Sequence, residues 1–319
     1  MRVAGACTAL ALIAATASDG APTQGFDARC GVFPAADVPA GSPSLPDQRA
    51  WNQDISESPV APNSDQVIDY INGHGGDELH PDFGRPKVYG IPFTVVRGGF
   101  KGVRTRFVAY GDESDKGRYK IPLDARIEGG RKGDGDRHTL GFDRDNCKLY
   151  ELYRAFPKKN RWNADSGAIW DLKSAGLRQE GWTSADAAGL PIFPGLTRYD
   201  EVKAGEIDHA LRVTFESTRD AYIHPASHCA GDTSSAAAPP MGMRFRLKAS
   251  YDTSAMTGQA AVIARALKQY GLINADNGSN WFFSGATNSH WNDDNLNQLK
   301  EIPGDAFEVV QSEAEVKSC

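Results

Sequence analysis

The feature that most limits what this chain can fold into is a succession of short apolar or alternating segments separated by turn residues. Segments of this length and spacing are typical of the strands of a β-sandwich or barrel. They lie at residues 91–96, 103–109, 138–143, 147–153, 210–215, 221–224 and 243–249. The 33 glycines and 18 prolines add turns and disfavour long helices. We therefore predict a mainly β protein, an antiparallel β-sandwich or jelly-roll-like body with a few short helices.

The clearest hairpin is expected at residues 138–153, where an Asp-Asn pair accepts turn geometry at low cost. A two-residue turn would pair Leu140 with Glu151. A three-residue loop would instead pair Thr139 with Glu151, so the register stays open.

Helical periodicity is strongest at residues 258–270 and weaker at residues 64–73. Asp293 or Asp294 can cap a last short helix. Between these helices, residues 272–284 contain two short apolar runs around an Asn-Gly turn, which predicts a second hairpin.

The N-terminal residues predict export. Arg2 precedes an apolar run at residues 4–17 that is too short to span a bilayer. We predict a signal peptide at residues 1–17, an extended Pro/Gly-rich strap at 18–62 and a single β-rich domain at 63–319. The mature protein is then expected to be secreted and extracellular.

Cleavage of the signal peptide leaves an even number of cysteines, which fits two disulfide bonds in an exported protein. They are Cys30, Cys147, Cys229 and Cys319. Three pairings are open. A zinc site is disfavoured because the chain has no CxxC pair.

The charge balance excludes one class of partner. The chain has 35 basic and 41 acidic residues and no basic stretch that would follow a phosphate backbone. We therefore expect no nucleic-acid partner. We also predict no membrane span and a monomeric protein.

Seven strings distributed along the chain share a pattern with one group of proteins. They are WN at 51–52, HPDFG at 80–84, GDRH at 135–138, CKLYEL at 147–152, GWTSADAAGLP at 181–191, GEIDHALR at 205–212 and ADNG at 275–278. In these strings the chain resembles a family of secreted bacterial and fungal proteins, from about Phe33 onward. The resemblance implies secretion and a single body, but no activity and no catalytic residue.

Common catalytic motifs are absent from the sequence: it has no GxSxG, no P-loop and no HExxH. Carboxylates beside predicted strands can instead supply the acid and base of a glycosidase. Glu151 lies in an apolar run that would raise its pKa, as a general acid requires. Glu206, at a strand entrance, is the expected base or nucleophile. Solvent-facing charge and turn capping are the structural alternatives for the two.

Two histidines extend this set of catalytic candidates. Asp136 and His138 can act as a base and its orienting carboxylate, although neighbours on one strand face have the same spacing. His209 follows Glu206 by three residues.

Aromatic and polar side chains suggest the substrate. Trp162, Trp182 and Trp281 stand beside polar residues or glycine and can stack on sugar rings. His80 and Asp82 are further candidates for binding. Packing beneath long loops is the structural alternative for each tryptophan. As a set, these residues favour a polysaccharide or cell-wall glycan as partner.

Metal signals are weak, and no cofactor is predicted. His209, His224 and His228 could meet only through tertiary packing. A structural calcium ion is the more plausible metal, in the loops at residues 111–115 or 129–136.

Two functions follow. The first is a secreted carbohydrate-active hydrolase that uses a carboxylate acid–base pair. The alternative is a non-catalytic glycan-binding or cell-wall-binding protein. They differ in whether two carboxyl groups face each other across a cleft; an esterase or peptidase without a familiar motif is a third, weaker option.

Overall fold

The computed structural model describes residues 48–81, 83, 84, 89–97, 99–172 and 177–319. Within these ranges the protein is mainly β, as predicted, and the helices are few and short. The expected signal peptide and most of the strap lie outside the described residues.

The strands of the described part are numbered in chain order. They are β1 Phe93–Val96, β2 Val103–Phe107, β3 Arg118–Tyr119, β4 Thr139–Asp143, β5 Lys148–Tyr153, β6 Phe156–Pro157, β7 Arg161–Ala164, β8 Ser166–Asp171, β9 Leu211–Phe215, β10 Arg219–Tyr222, β11 Pro240–Met241, β12 Arg244–Leu247, β13 Leu272–Asn277, β14 Phe282–Phe283, β15 Phe307–Val309 and β16 Lys317–Ser318.

The α-helices are α1 Gln48–Asn52, α2 Ser64–Gly73, α3 Tyr199–Ala204, α4 Gly258–Gln269 and α5 Asp293–Leu296. Short 3-10 helices lie at Phe193–Gly195, Asn297–Glu301 and Gly304–Ala306. The helices predicted at residues 258–270 and 64–73 are confirmed. Asn292 caps α5 through its side chain, in place of the aspartates that follow it.

Four sheets form the body. Their strand orders are β1-β4-β5-β8 in sheet I, β3-β2-β7-β6 in sheet II, β14-β9-β13-β12-β15 in sheet III and β11-β10-β16 in sheet IV. Antiparallel pairs predominate, and each sheet also contains one parallel pair. The sheets are open, and the arrangement fits a sandwich-like body.

The hairpin of β4 and β5 has the first of the two predicted registers, with Leu140 opposite Glu151. Its ladder ends at Asp143 and Lys148, so the loop has four residues. Asp143 holds this loop because its carboxylate accepts hydrogen bonds from the backbone N–H groups at the turn.

Sheet I is covered on both faces. Tyr150 and Leu152 pack with Tyr119 and Trp162 of sheet II. Because side chains alternate along a strand, Leu149 and Glu151 point the other way, and Leu149 packs in the cluster that contains Phe193. The four middle residues of β5 are therefore buried on either face, while its two end residues are half-buried.

The second predicted hairpin, at residues 272–284, is wrong. β13 and β14 do not pair with each other, because β9 lies between them in sheet III. β9 pairs in parallel with β13 and antiparallel with β14. The Asn-Gly turn reverses the chain, but a distant strand takes the place of the expected partner.

A disulfide bond joins Cys229 to the C-terminal Cys319. Cys147 is also disulfide-bonded, and its partner lies outside the described residues. Among the described helices, none combines the length and hydrophobicity that crossing a bilayer requires.

Candidate functional site

His138 lies just before β4 and is 2% exposed. Its Nδ1 is 2.6 Å from a carboxylate oxygen of Glu128, and its Nε2 is 3.0 Å from the carbonyl oxygen of Ala185. Both partners are acceptors, so both ring nitrogens carry hydrogen and the imidazole is cationic. Burial by itself lowers the pKa of His138, but the Glu128 carboxylate raises it to about 9. Glu128, which was not among the predicted residues, therefore takes the orienting role expected of Asp136.

Arg212 is a second buried cation, on β9 in sheet III. Its Nε and one terminal nitrogen bind the two carboxylate oxygens of Asp186, at 3.0 and 2.5 Å. The other terminal nitrogen donates to the hydroxyl of Ser284. A bidentate pair of this kind fixes the plane of the guanidinium group.

Asp276 stands next to this pair, with Oδ2 at 3.4 Å from Arg212. The register of β13 against β9 shifts between Asn274 and Asp276, and a bulge of this kind re-aims the side chain that follows it. The intervening Ala275 accepts a hydrogen bond from the backbone N–H of Ala188. The Asp276 side chain keeps 22% of its surface exposed.

The residues around Arg212 and His138 form one electrostatic unit. We call Glu128, Asp136, His138, Tyr153, Asp186, Arg212 and Asp276 the central network. Glu128 influences Arg212, while His138 and Asp136 both influence Asp276. The segment at residues 183–190 joins the two halves, since Ala185 binds His138 and Asp186 binds Arg212.

The central network reaches solvent at its edge. Asp136 is exposed, and one of its carboxylate oxygens lies within 4.8 Å of a Glu128 oxygen and a His138 nitrogen. Tyr153 is half-buried, and its ring lies 5.5 Å from that of His138. Burial raises the pKa of Tyr153 to about 12, with further contributions from Asp136 and Asp276. Beside Glu128 opens a cavity of about 310 Å³.

The carboxyl groups of the network are in different protonation regimes. Burial and, to a smaller extent, the neighbouring Asp186 carboxylate raise the pKa of Asp276. Arg212 lowers it by less, so the resulting pKa is about 7. Burial also raises the pKa of Glu128, but the His138 cation outweighs it and holds that pKa below its usual value. The network thus contains a carboxyl group, that of Asp276, which can carry a proton near neutral pH, together with the Glu128 carboxylate, which stays ionised.

Glu151, the predicted acid, is fully buried and does not reach a cleft. Its carboxylate accepts hydrogen bonds from the backbone N–H groups of Ile192 and Phe193 and from the indole of Trp170. Burial raises its pKa to about 7, as the apolar run suggested. Its contacts are those of a group that caps the 3-10 helix at Phe193–Gly195.

Glu206 and His209 do not act together. Glu206 is exposed in the loop after α3, and none of the hydrogen bonds of Glu151 involves it. His209 is 4% exposed and binds the carboxylate of Glu201 and the carbonyl oxygen of Ala210. Burial lowers the pKa of His209, and Glu201 raises it above its usual value. The loop exposes one residue and buries the other.

Two of the three predicted sugar-stacking tryptophans lie in the core. Trp162 and Trp281 are fully buried and donate their indole N–H groups to the carbonyl oxygen of Ile121 and the side chain of Asn72. Trp182 is partly exposed, with the Arg178 guanidinium 5.5 Å from its ring. The remaining tryptophans, Trp51, Trp170 and Trp291, are buried as well.

The other two predicted binding residues are His80 and Asp82. His80 is half-buried and stacks on Phe282, with ring centroids 4.3 Å apart. Asp82 lies outside the described residues. Neither is among the residues of the central network.

In the two loops predicted to hold calcium, oxygen atoms accept hydrogen bonds from arginine side chains. In the loop at residues 129–136, the carbonyl oxygens of Gly130, Arg131 and Gly133 accept from the Arg137 guanidinium. In the loop at residues 111–115, Asp115 pairs with a cationic side chain, that of Arg178. Arginine side chains therefore bind these oxygens in place of a calcium ion.

The three histidines considered for a metal have separate partners. His209 pairs with Glu201 and His224 with Glu180, while His228 is hydrogen-bonded through Nδ1 to the carbonyl oxygen of Ala187 at 2.8 Å. Glu128, Asp136 and His138 do have potential ligand atoms close together. Both nitrogens of His138 are already hydrogen-bonded, however, which favours a cationic histidine over a metal ligand.

No family model, curated protein or solved structure matches this chain. The resemblance to secreted bacterial and fungal proteins stays a prediction.

Sequence reasoning missed the centre of the site. Asp186, Arg212 and Asp276 all lie within strings that carried the resemblance. A charged residue inside an otherwise apolar strand, as Arg212 is in β9, was the available signal, because such a residue requires a buried partner.

Proposed function

We propose that this protein is a secreted glycan hydrolase in which Asp276 is the general acid and Asp136 the base or nucleophile. The observation that carries the proposal is the presence of two carboxyl groups with access to solvent in one buried network of charges. Glycosidases need two such groups with different protonation states. The disulfide between Cys229 and Cys319 supports an oxidising compartment.

Asp276 meets the requirements of a proton donor. Its pKa of about 7 keeps a fraction of the group protonated near neutral pH. The bulge of β13 and the Arg212–Asp186 pair hold it in position. Glu151 has a similar pKa, but its complete burial prevents contact with a glycosidic oxygen.

Asp136 is suited to the second role. Its side chain is exposed, and one of its carboxylate oxygens lies within 4.8 Å of a nitrogen of the buried His138. In this mechanism Asp276 protonates the leaving oxygen while Asp136 attacks the sugar or activates water. Asp136 and Asp276 both raise the pKa of the half-buried Tyr153. The phenol hydroxyl of Tyr153 can therefore donate a hydrogen bond to a substrate at this site.

The non-catalytic alternative receives less support from the side chains. Glycan-binding surfaces rely on accessible aromatic rings, and five of the six tryptophans are buried in this protein. The central network instead contains ionisable groups with access to solvent, which supports a role in proton transfer. We therefore favour the enzyme.

The test is turnover on a polysaccharide panel, measured by release of reducing ends. Asp276→Asn and Asp136→Asn should each lower turnover about 10²–10⁴-fold, the usual contribution of a positioned acid or base. Asp134→Asn is the matched control because Asp134 is exposed in the same loop, two residues from Asp136. It should leave turnover unchanged.

Equal turnover in the parent and in Asp276→Asn would contradict the proposed role of Asp276. Binding of the protein to an insoluble glycan, with no reducing ends released by the parent, would favour the binding protein.

A further inference from the structure

A second feature, separate from the central network, is a groove of about 1180 Å³ whose wall combines residues from the N-terminal and C-terminal parts of the described chain. Its wall includes residues 52–55, 58, 59 and 61–63, the start of β12 and residues 309–314 and 316. None of the seven residues of the central network lines it. The cation in its wall is Arg244, the first residue of β12.

Arg244 has only neutral partners. Its terminal nitrogens donate to the side-chain and backbone oxygens of Gln53, both at 3.3 Å, and to the carbonyl oxygen of Tyr270 at 3.1 Å. Its Nε is buried and has no hydrogen-bond partner. No carboxylate of the described residues forms an ion pair with it.

Arg246 provides an internal comparison, because it lies two residues further along β12 and shares its face. It also binds the N-terminal segment, through the carbonyl oxygens of Ile55, Ser56 and Ser58. Unlike Arg244, it has a carboxylate partner, Glu308. Among the described residues, β12 therefore holds one arginine with a carboxylate partner, Arg246, and one without, Arg244.

The carboxylates in the wall of the groove do not supply the missing charge. Asp54 accepts hydrogen bonds from Ser56 and Gln269, and Glu313 is exposed. Burial lowers the pKa of Arg244, and no acidic neighbour raises it. Arg244 is half-buried in the wall of the groove. A cation in such a place without an anionic partner is incompletely compensated, so an anion that entered the groove would gain a ready partner.

We propose that this groove binds an anionic group of an acidic glycan and that Arg244 recognises that group. The guanidinium group is the cation of choice for carboxylates. The volume exceeds the usual range of small-molecule pockets, roughly 300–1000 Å³, and suits several sugar units. The exposed Gln311 and Ser312 in the wall can hydrogen-bond sugar hydroxyls. The identity of the ligand as a glycan rests on the proposed function; the anion site itself does not.

Titration calorimetry at constant ionic strength tests the proposal, with tetragalacturonate as the acidic probe and maltotetraose as the neutral one. The parent should bind the acidic probe more tightly. Arg244→Gln should weaken that binding about tenfold or more, a change of at least about 1.4 kcal/mol. Arg265→Gln is the matched control, because Arg265 also donates only to carbonyl oxygens but is exposed on α4. It should bind as the parent does.

Gln53→Glu keeps Arg244 and gives it a carboxylate at hydrogen-bond distance. It should therefore raise the thermal midpoint and, by competition, weaken binding of the acidic probe. Unchanged binding in both Arg244→Gln and Gln53→Glu, or equal binding of the two tetrasaccharides, would overturn the proposal.

Two further measurements separate this proposal from the hydrolase. Asp276→Asn should bind tetragalacturonate normally, since Asp276 does not line the groove. Binding that depends on Arg244 in a protein that hydrolyses no glycan would support the groove and contradict only the enzyme. Binding of inorganic phosphate through Arg244 without binding of tetragalacturonate would overturn the assignment to a glycan.

Discussion

At the scale of single residues, burial is the main cause of the raised pKa, about 7, of both Glu151 and Asp276. The two carboxyl groups nevertheless differ in their access to solvent. Glu151 is fully enclosed and faces three donors. Asp276 keeps part of its carboxyl surface in solvent and faces other charges. A raised pKa identifies a buried acid, whereas access to solvent separates a catalytic candidate from a structural one.

Glu151→Gln should destabilise the protein. The amide nitrogen of glutamine would face backbone and indole N–H groups, which are donors, so at least one buried donor would lose its acceptor. We expect a loss of about 1–3 kcal/mol in the free energy of unfolding, measured by urea denaturation at pH 7. Glu206→Gln is the matched control because Glu206 is exposed. An unfolding midpoint equal to that of the parent in Glu151→Gln would contradict the capping role.

Burial of individual tryptophans was not predictable from the sequence. Alternation shows which residues of a strand share a face, but not what covers that face. Trp162 lies on a short strand flanked by polar residues, as an exposed tryptophan would, yet sheets I and II enclose it. The cover comes from Tyr119 and Tyr150, which are distant in sequence.

At the scale of elements, the two predicted hairpins differ in how local they are. The register of β4 and β5 depends on a four-residue loop, so neighbouring residues determine it. The pairing of β13 and β14 failed because β9, more than 50 residues earlier in the chain, lies between them. The residues of a turn do not indicate whether a strand from a distant part of the chain will insert between the two strands that the turn connects.

Two glycines that follow helices give a prediction at this scale. Gly271 and Gly205 follow α4 and α3 and have φ values of +71° and +92°. A Cβ at Gly271 would lie 2.0 Å from the carbonyl oxygen of Phe245, whereas one at Gly205 would meet nothing within 4 Å. Gly205→Ala should cost about 1 kcal/mol through backbone strain alone. Gly271→Ala should cost roughly 1–3 kcal/mol more, because β12 must also shift.

Thermal and urea denaturation of the two alanine variants provide the measurement. Equal losses in both would mean that α4 does not press its terminus against β12.

At the scale of the whole molecule, the central network connects sheets I and III. His138 lies just before β4, while Arg212 and Asp276 belong to β9 and β13. The segment at residues 183–190 lies between them and binds both sides. The buried charges therefore serve the packing of the sheets as well as the proposed chemistry.

The network predicts how stability depends on pH. Folding raises the pKa of Asp276 and Glu151 to about 7 and that of His138 to about 9. A group whose pKa is raised by folding stabilises the protein fully below its unfolded pKa and loses that contribution as pH rises through its folded pKa. Glu128, with a lowered pKa, contributes in the opposite sense and loses its contribution in acid.

We therefore expect stability to be greatest near pH 5 and to fall between pH 5 and 9. Urea midpoints at pH 5, 7 and 9 measure this. His138→Gln should flatten the decline between pH 7 and 9, because it removes the group that titrates there. A midpoint that rises from pH 5 to 9 in the parent would contradict the assigned charge states.

The amino-acid sequence by itself determined the β-rich class, the helices at residues 64–73 and 258–270, and the existence of the β4–β5 hairpin, whose register it narrowed to two alternatives. These features depend on periodicity and turn chemistry within a few residues, and both can be read from the order of the residues. The tertiary structure decided the rest. It assembled Asp186, Arg212 and Asp276, and left Arg244 without a carboxylate partner, because burial and charge pairing depend on which distant segments pack together.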